Sequence, residues 1–202
     1  KSSQVGAAKS ALEIDSYDLT NGYKRFGLAV PPNINFPSIA YGKINQRSNI
    51  SDHEIASLGF GYGLEASAIQ LAMAFSVFAN DGVLKGFQLV EEKDHSNPSQ
   101  VISKHTAALI MESLEQVIDD GTGSQAKHHF HRVAGKTGTS HKVSNGKYDK
   151  SKYISSFIGI GPLETKKYTI LVTIDEPGLN RYSGGEVAAP VFKEIFDDLV
   201  SL

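Results

Sequence analysis

The run Ala134-Gly135-Lys136-Thr137-Gly138-Thr139-Ser140 carries the strongest chemical signal in the 202-residue chain. A lysine stands beside two threonine hydroxyls at alternate positions, and Gly138 between them has no Cβ to hold a ligand off the backbone. On a strand this set suits a carboxylate. The lysine supplies field, the hydroxyls supply directed bonds, and an open strand edge pairs with a peptide. The bland alternative for the same residues is a solvent-exposed polar strand end. A phosphate-binding loop fits poorly: Phe130 stands where that loop needs its first glycine, and strand and turn follow where it needs a helix. Gly59-Phe60-Gly61-Tyr62-Gly63 misses a dinucleotide fingerprint in the same way, because Leu64 takes the third glycine's place and no strand precedes it. His128, His129 and His131, with His105 and His141 nearby in sequence, offer metal donors. Two imidazoles on one strand face make only half a tetrahedral site, so the group reads as a solvated cluster before a strand. Asp175-Glu176-Pro177 reads as a strand exit; one adjacent carboxylate pair has no spacing logic for hydrolysis.

These residues need elements to hold them. Val5 to Ile14 reads as a helix, and Asp15 or Ser16 caps a second one that stops at Gly27. Residues 28–50, with Pro31, Pro32 and Pro37, read as a long surface loop. Residues 66–80 form the clearest helix, opened by a Ser67/Gln70 capping box and ended by Asn80-Asp81-Gly82. Residues 91–100 are a polar connector. Ser103 caps a helix to about Ile118, striped by Ile110, Leu114 and Ile118, and Asp119 to Ser124 reads as a loop. Strands are expected over 132–139, 153–160 and 168–175, the first two joined through the Asn145-Gly146 turn signal. Both connections are too short for a helical crossover, which predicts an antiparallel meander. Pro190 then opens a closing helix at its first position, with Val191, Ile195, Leu199, Phe192 and Phe196 expected to cover the sheet. Helices followed by a meander and a last helix make a mixed α/β (α+β) chain, read as one domain. Its first portion (1–130) is mostly helical and its second (131–202) holds the strands and closing helix.

Composition bounds the function. With 20 Lys and Arg against 22 Asp and Glu the net charge is −2, which argues against a strongly basic nucleic-acid binder. There is no cysteine, hence no disulfide framework and no thiol nucleophile, and the compartment is left open. No run approaches 18 apolar residues.

Lys-Thr-Gly is a signature of serine penicillin-recognising enzymes when Ser-x-x-Lys and a Ser-x-Asn-type element accompany it. Lys1-Ser2-Ser3-Gln4-Val5-Gly6, Arg25-Phe26-Gly27, Phe60 to Leu64, Ala134 to Thr139, Tyr153 to Gly161 and Tyr182 to Phe192 follow in order. In these blocks the chain resembles the C-terminal part of a class B penicillin-binding protein, a peptidoglycan D,D-transpeptidase, and most narrowly the septal cell-division type. The resemblance implies part of the penicillin-binding-protein/serine β-lactamase-like transpeptidase fold. It assigns Ser2 and Lys136 to catalysis, with Gln4, Thr137, Gly138 and Thr139 binding substrate and the Thr139 N–H completing an oxyanion hole. Gln4 departs from the family's Asn, with the same amide on a stem one methylene longer. The family's nucleophilic Ser and base Lys are expected upstream of Ser2. The 202 residues are therefore expected to lack the Ser-x-x-Lys nucleophile motif and to be inactive alone.

The resemblance further implies stem peptides ending in D-Ala-D-Ala and β-lactams as ligands, divisome membrane proteins and a glycosyltransferase as partners, and no cofactor, metal or nucleic acid. It also implies a single-pass anchor in the bacterial inner membrane with the domain on the periplasmic side. The alternatives are a D,D-carboxypeptidase or β-lactamase-like hydrolase, and a non-catalytic β-lactam-sensing or divisome scaffold domain.

Overall fold

Short, well-capped helices dominate the first half. The computed structural model describes residues 2–32, 38–44, 50–89, 97–144, 146–178 and 180–201. The chain divides into two compact units, Ser2–Ser103 and Lys104–Leu202.

In the first unit, α1 (Gln4–Leu12) is capped by Ser3, whose Oγ accepts the Gly6 N–H, and α2 (Ser16–Arg25) by Asp15, which accepts from Tyr17. A helix that the apolar period does not announce, α3 (Asp52–Gly59), starts with a full capping box between Ser51 and Glu54. Gly59 lies against α1 so closely that a Cβ there would stand 2.6 Å from the Ala11 Cβ. The expected helix over 66–80 is α4 (Ala68–Ala79), with its Ser67/Gln70 box formed. Gln70 is almost fully buried at 1% exposure. Its Nε2 donates to the Gly27 and Val30 carbonyls, and its Oε1 accepts from the N–H of Gly42 and of Ser67. One side chain thus satisfies four backbone groups and ties two loop segments to a helix. Two-residue strands β1 (Val83–Leu84) and β2 (Ser99–Gln100) pair antiparallel, placing a strand in what reads as connector. Residues 91–96 of that connector lie outside the described residues, as do 33–37 and 45–49 of the long loop.

The second unit holds α5 (Lys104–Asp120), a 3₁₀ turn (Ser124–Ala126), β3 (Ala134–Ser144), β4 (Lys147–Gly161), β5 (Tyr168–Asp175), α6 (Gly184–Val187) and α7 (Ala189–Ser201). The three long strands form the expected antiparallel meander, in the order β3-β4-β5. Phe157, Val172, Phe192, Phe196, Ile118 and Val133 build the core between sheet and helices. Phe157 meets Phe192 edge-on at 4.9 Å, and burial of each such ring contributes roughly 1.5–3 kcal/mol. Gly159 makes this possible, since a Cβ there would stand 2.4 Å from the Phe192 ring.

Two expectations change. The buried stripe of α7 is Ala189, Phe192 and Phe196, at i, i+3 and i+7, whereas Val191 and Ile195 are 38% and 40% exposed. Five apolar residues cannot all share a face about 100° wide, and the rings win because they cover more of the sheet. Pro190 is accordingly the second helical residue, behind Ala189. The loop expected between β3 and β4 is instead a two-stranded ribbon, with Ser144 opposite Lys147 and a bulge at His141/Lys142. Of its turn signal, Asn145 lies outside the described residues and Gly146 has φ 75°. At the root of the ribbon Lys142 Nζ lies 2.8 Å from both Asp175 and Glu176, so those carboxylates clamp the strand exit.

Candidate active site

Strand alternation sorts the signature run into two faces. Thr137 sits opposite Phe157 and Thr139 opposite Ser155, on the face that carries the core, while Lys136 and Gly138 sit opposite Ile158 and Ser156 on the other. Each threonine then finds a partner from outside the strand. Thr137 Oγ1 lies 2.7 Å from Thr122 Oγ1, in the loop that leaves α5. Thr139 Oγ1 accepts the Gly184 N–H at 3.0 Å, at the start of α6. That approach requires glycine: a Cβ on residue 184 would stand 2.2 Å from the Ser156 carbonyl oxygen and 2.5 Å from that of Gly138. The Ser155 hydroxyl donates to the Tyr182 carbonyl and fixes the chain on the way into α6.

Proton counting gives the chemistry. Thr122 and Thr137 share one hydrogen bond, so one of their two protons is left to donate. Thr139, already an acceptor, keeps its own proton for a ligand. Two directed donors on one face of the strand make a site for an anion, and a planar carboxylate has the acceptor oxygens to use them; Lys136, on the other face, adds the field of a neighbouring cation. Lys136 is half-buried, and its Nζ donates to the Thr137 carbonyl at 2.7 Å. Burial pulls its ammonium below the ordinary lysine value, so more neutral amine is present at a given pH than for a surface lysine. A ledge of rings lies past Thr139: Tyr153 stacks on Tyr182 at 4.1 Å and His141 leans on Tyr153 at 4.8 Å.

The strand therefore brings Lys136, Thr137, Gly138 and Thr139 together. Ser2 and Gln4 stand in the other unit, both exposed, on either side of the Ser3 cap and with Gln4 as the first residue of α1. Thr122 and Gly184 escape sequence reasoning: no spacing rule joins partners 15 and 45 residues apart, although their glycine-rich surroundings mark places of close backbone approach.

The expectation that Ser-x-x-Lys is missing needs correction at the level of letters, since Ser124–Lys127 and Ser144–Lys147 both match it. Neither site has the surroundings of an activated nucleophile. Ser124 is an exposed residue of the 3₁₀ turn, and Lys127 is tied on the surface to Asp119 at 2.8 Å. Ser144 and Lys147 face each other, exposed, at the tip of the ribbon. A base must be desolvated to activate an alcohol, and both pairs stand in solvent. The histidines are corrected too. His128 is packed inside, with its side chain 10% exposed, and stacks on His131.

Residues 1–197 match the family described as the penicillin binding protein transpeptidase domain. The chain belongs to that family. It is 34% identical over 196 residues to the peptidoglycan D,D-transpeptidase FtsI of Buchnera aphidicola subsp. Schizaphis graminum, covering 96% of this chain and 34% of that one. It is also 34% identical over 203 residues to the probable peptidoglycan D,D-transpeptidase PenA of Neisseria flavescens, covering all of this chain and 51% of the relative. The chain thus spans about a third to a half of the length of these curated relatives. Among solved structures, the transpeptidase domain of penicillin-binding protein 3 from Burkholderia pseudomallei superimposes with a TM-score of 0.90 at 35% identity, over 100% of this chain and 62% of that one. The mixed helix-and-strand architecture, with its three-stranded antiparallel sheet and C-terminal helix, is that of the transpeptidase fold.

Proposed function

We propose that the protein carrying these residues is a peptidoglycan D,D-transpeptidase of septal cell-wall synthesis, acylated by the penultimate D-Ala of a donor stem peptide and by β-lactams. The observation that carries this reading is the Lys136–Thr139 strand, which presents two donating hydroxyls on one face and a half-buried lysine next to them in the chain on the other. Thr137 and Thr139 take the carboxylate of the stem peptide or β-lactam, with Gly138 allowing close approach. The Thr139 N–H joins the nucleophile's own N–H at the oxyanion. Ser2 is a poor base by itself, and its role as a relay to the leaving or entering amine depends on Lys136 lowering the cost of proton transfer. Gln4 offers its amide to the substrate backbone. The acyl group forms on a Ser of a Ser-x-x-Lys motif upstream of Ser2. The two compact units are read as parts of one transpeptidase domain, a reading supported by a family match that runs through both.

No helix among the described residues is long and apolar enough to cross a membrane. The proposed setting, a single-pass anchor in the inner membrane with the domain in the periplasm beside divisome proteins and a glycosyltransferase, rests on the relatives' function in cell-wall synthesis.

Labelling with a fluorescent penicillin tests the proposal on three samples: the full-length protein, its upstream Ser→Ala variant and the 202-residue chain. Only the first is expected to be labelled covalently. Labelling of the 202-residue chain would place the nucleophile inside it. A full-length protein that takes no label would favour a scaffold, and one that turns the label over rapidly would be a hydrolase.

A further inference from the structure

The histidines ahead of β3 do work that the site chemistry leaves unused. His128 Nδ1 accepts two backbone hydrogen bonds, from Phe130 N–H at 3.1 Å and His131 N–H at 3.0 Å. An imidazole nitrogen that accepts is unprotonated, so the ring is neutral with its proton on Nε2. Nε2 points to Asp197 Oδ1 on α7 at 3.4 Å, and the ring meets Phe196 of the same helix edge-on at 5.4 Å. The turn formed by residues 128–131 is thus closed by one side chain that also fastens it to α7. Two residues beyond His131 comes the buried Val133, and then β3 with its lysine and threonines.

We propose that His128 is an acid-sensitive latch: the neutral ring holds the turn that enters β3 against α7, and protonation at Nδ1 releases it. A proton on Nδ1 would set a third donor against the Phe130 and His131 N–H groups and leave all three without that acceptor, which opens the turn to water. The surrounding charges are mixed. On α7, Asp197 favours the cation and Lys193, which holds Asp197 Oδ2 at 2.6 Å, opposes it. On the turn itself His129 and His131 oppose it. Glu164 from the β4–β5 connection is 3.9 Å from His131 Nδ1, while Arg132 beside the turn is occupied by Glu115 of α5. Burial outweighs Asp197 and moves His128 below the ordinary histidine value. With the folded value below the unfolded one, the latch is fully closed above about pH 6.5 and its stabilisation is lost as pH falls through the folded value.

Hydrogen–deuterium exchange of the full-length protein tests this in peptides covering residues 128–132 at about pH 7.5 and pH 5, corrected for intrinsic exchange. The comparison is wild type, His128→Asn, whose side-chain oxygen replaces Nδ1 as a non-titrating acceptor, and His128→Phe. Wild type is expected to lose roughly tenfold protection in acid, as the loss of one to two hydrogen bonds implies. The Asn variant stays protected at both values and the Phe variant is unprotected at both. Equal wild-type protection at the two pH values overturns the latch. So does an acid loss in the Asn variant as large as in wild type, which would assign the titration to another group such as His131. The ¹⁵N shift of His128 Nδ1 in the wild-type protein gives a measurement independent of any variant's folding, and a protonated Nδ1 at neutral pH also overturns it.

Discussion

The Thr122 hydroxyl meets the proposed substrate site at Thr137, and that makes a sharp quantitative test. Thr122→Val and Thr137→Val each remove a hydroxyl and keep the shape. The 2.7 Å oxygen separation is the normal length for a hydroxyl pair, so the Thr122–Thr137 bond, between neutral and partly solvated groups, contributes about 0.5–1.5 kcal/mol. A bond from Thr137 to a ligand carboxylate is charge-assisted and contributes about 1.5–3 kcal/mol. The second-order acylation rate of the full-length protein by a penicillin should therefore fall roughly two- to tenfold in Thr122→Val and roughly ten- to a hundredfold in Thr137→Val. Because Thr122 acts by orienting the Thr137 proton, the double variant should be no more than about twofold slower than Thr137→Val alone, a coupling of about 1 kcal/mol. Stopped-flow mixing with a fluorescent penicillin reads all four rates, and thermal melting checks that folding is unchanged. If the double variant slows by the product of the two single effects, Thr122 reaches the ligand independently and the orienting argument fails.

Lys136→Ala in the full-length protein should cut acylation by about 10²–10⁴-fold with little change in melting temperature, and unchanged acylation would remove Lys136 from the mechanism. Since burial lowers the Lys136 ammonium, wild-type acylation should rise with pH through a value below that of an ordinary lysine, and Lys136→Arg should erase that limb of the pH profile. In the first unit, Gln70→Leu would leave four backbone groups without their partner, and urea denaturation should show a loss of about 3 kcal/mol or more; a loss under 1 kcal/mol would mean that water replaces the amide.

The sequence was most legible where one signal acted alone. The capping box and apolar run locate α4 within two residues at its start, and β5 runs from Tyr168 to Asp175 as alternation predicts. Legibility failed where an element is too short for a period to show. The eight residues of α3 have a readable Ser51/Glu54 box but barely two turns of pattern, and β1 and β2 have two residues each. The ribbon after Thr139 failed for another reason: both of its faces are largely solvated, so a strand of Lys, Ser and Asp carries no alternation. At the site, Lys136 to Thr139 are contiguous and could be found together. Thr122 and Gly184 reach them only through the fold, and His128 looks solvated in the sequence because nothing local to it reveals that Phe196 packs against its ring.

The clamp at the foot of the ribbon bears on how this chain can vary in length. Past Ile154, which pairs with Asp175, the β5 exit holds β4 through the Glu176 N–H on the Tyr153 carbonyl and the Glu176 carboxylate on Lys152, and it holds β3 through Lys142. The bulge at His141/Lys142 resets the register at the same place, so pairing on the far side is not dictated by pairing on the near side. Residue pairs can therefore be added to or deleted from the outer arm at the small cost of changing a surface hairpin, without shifting Thr139 against Gly184. A one-residue insertion between Ala134 and Lys136 has no such refuge, because it would exchange the faces of the lysine and of both threonines at once.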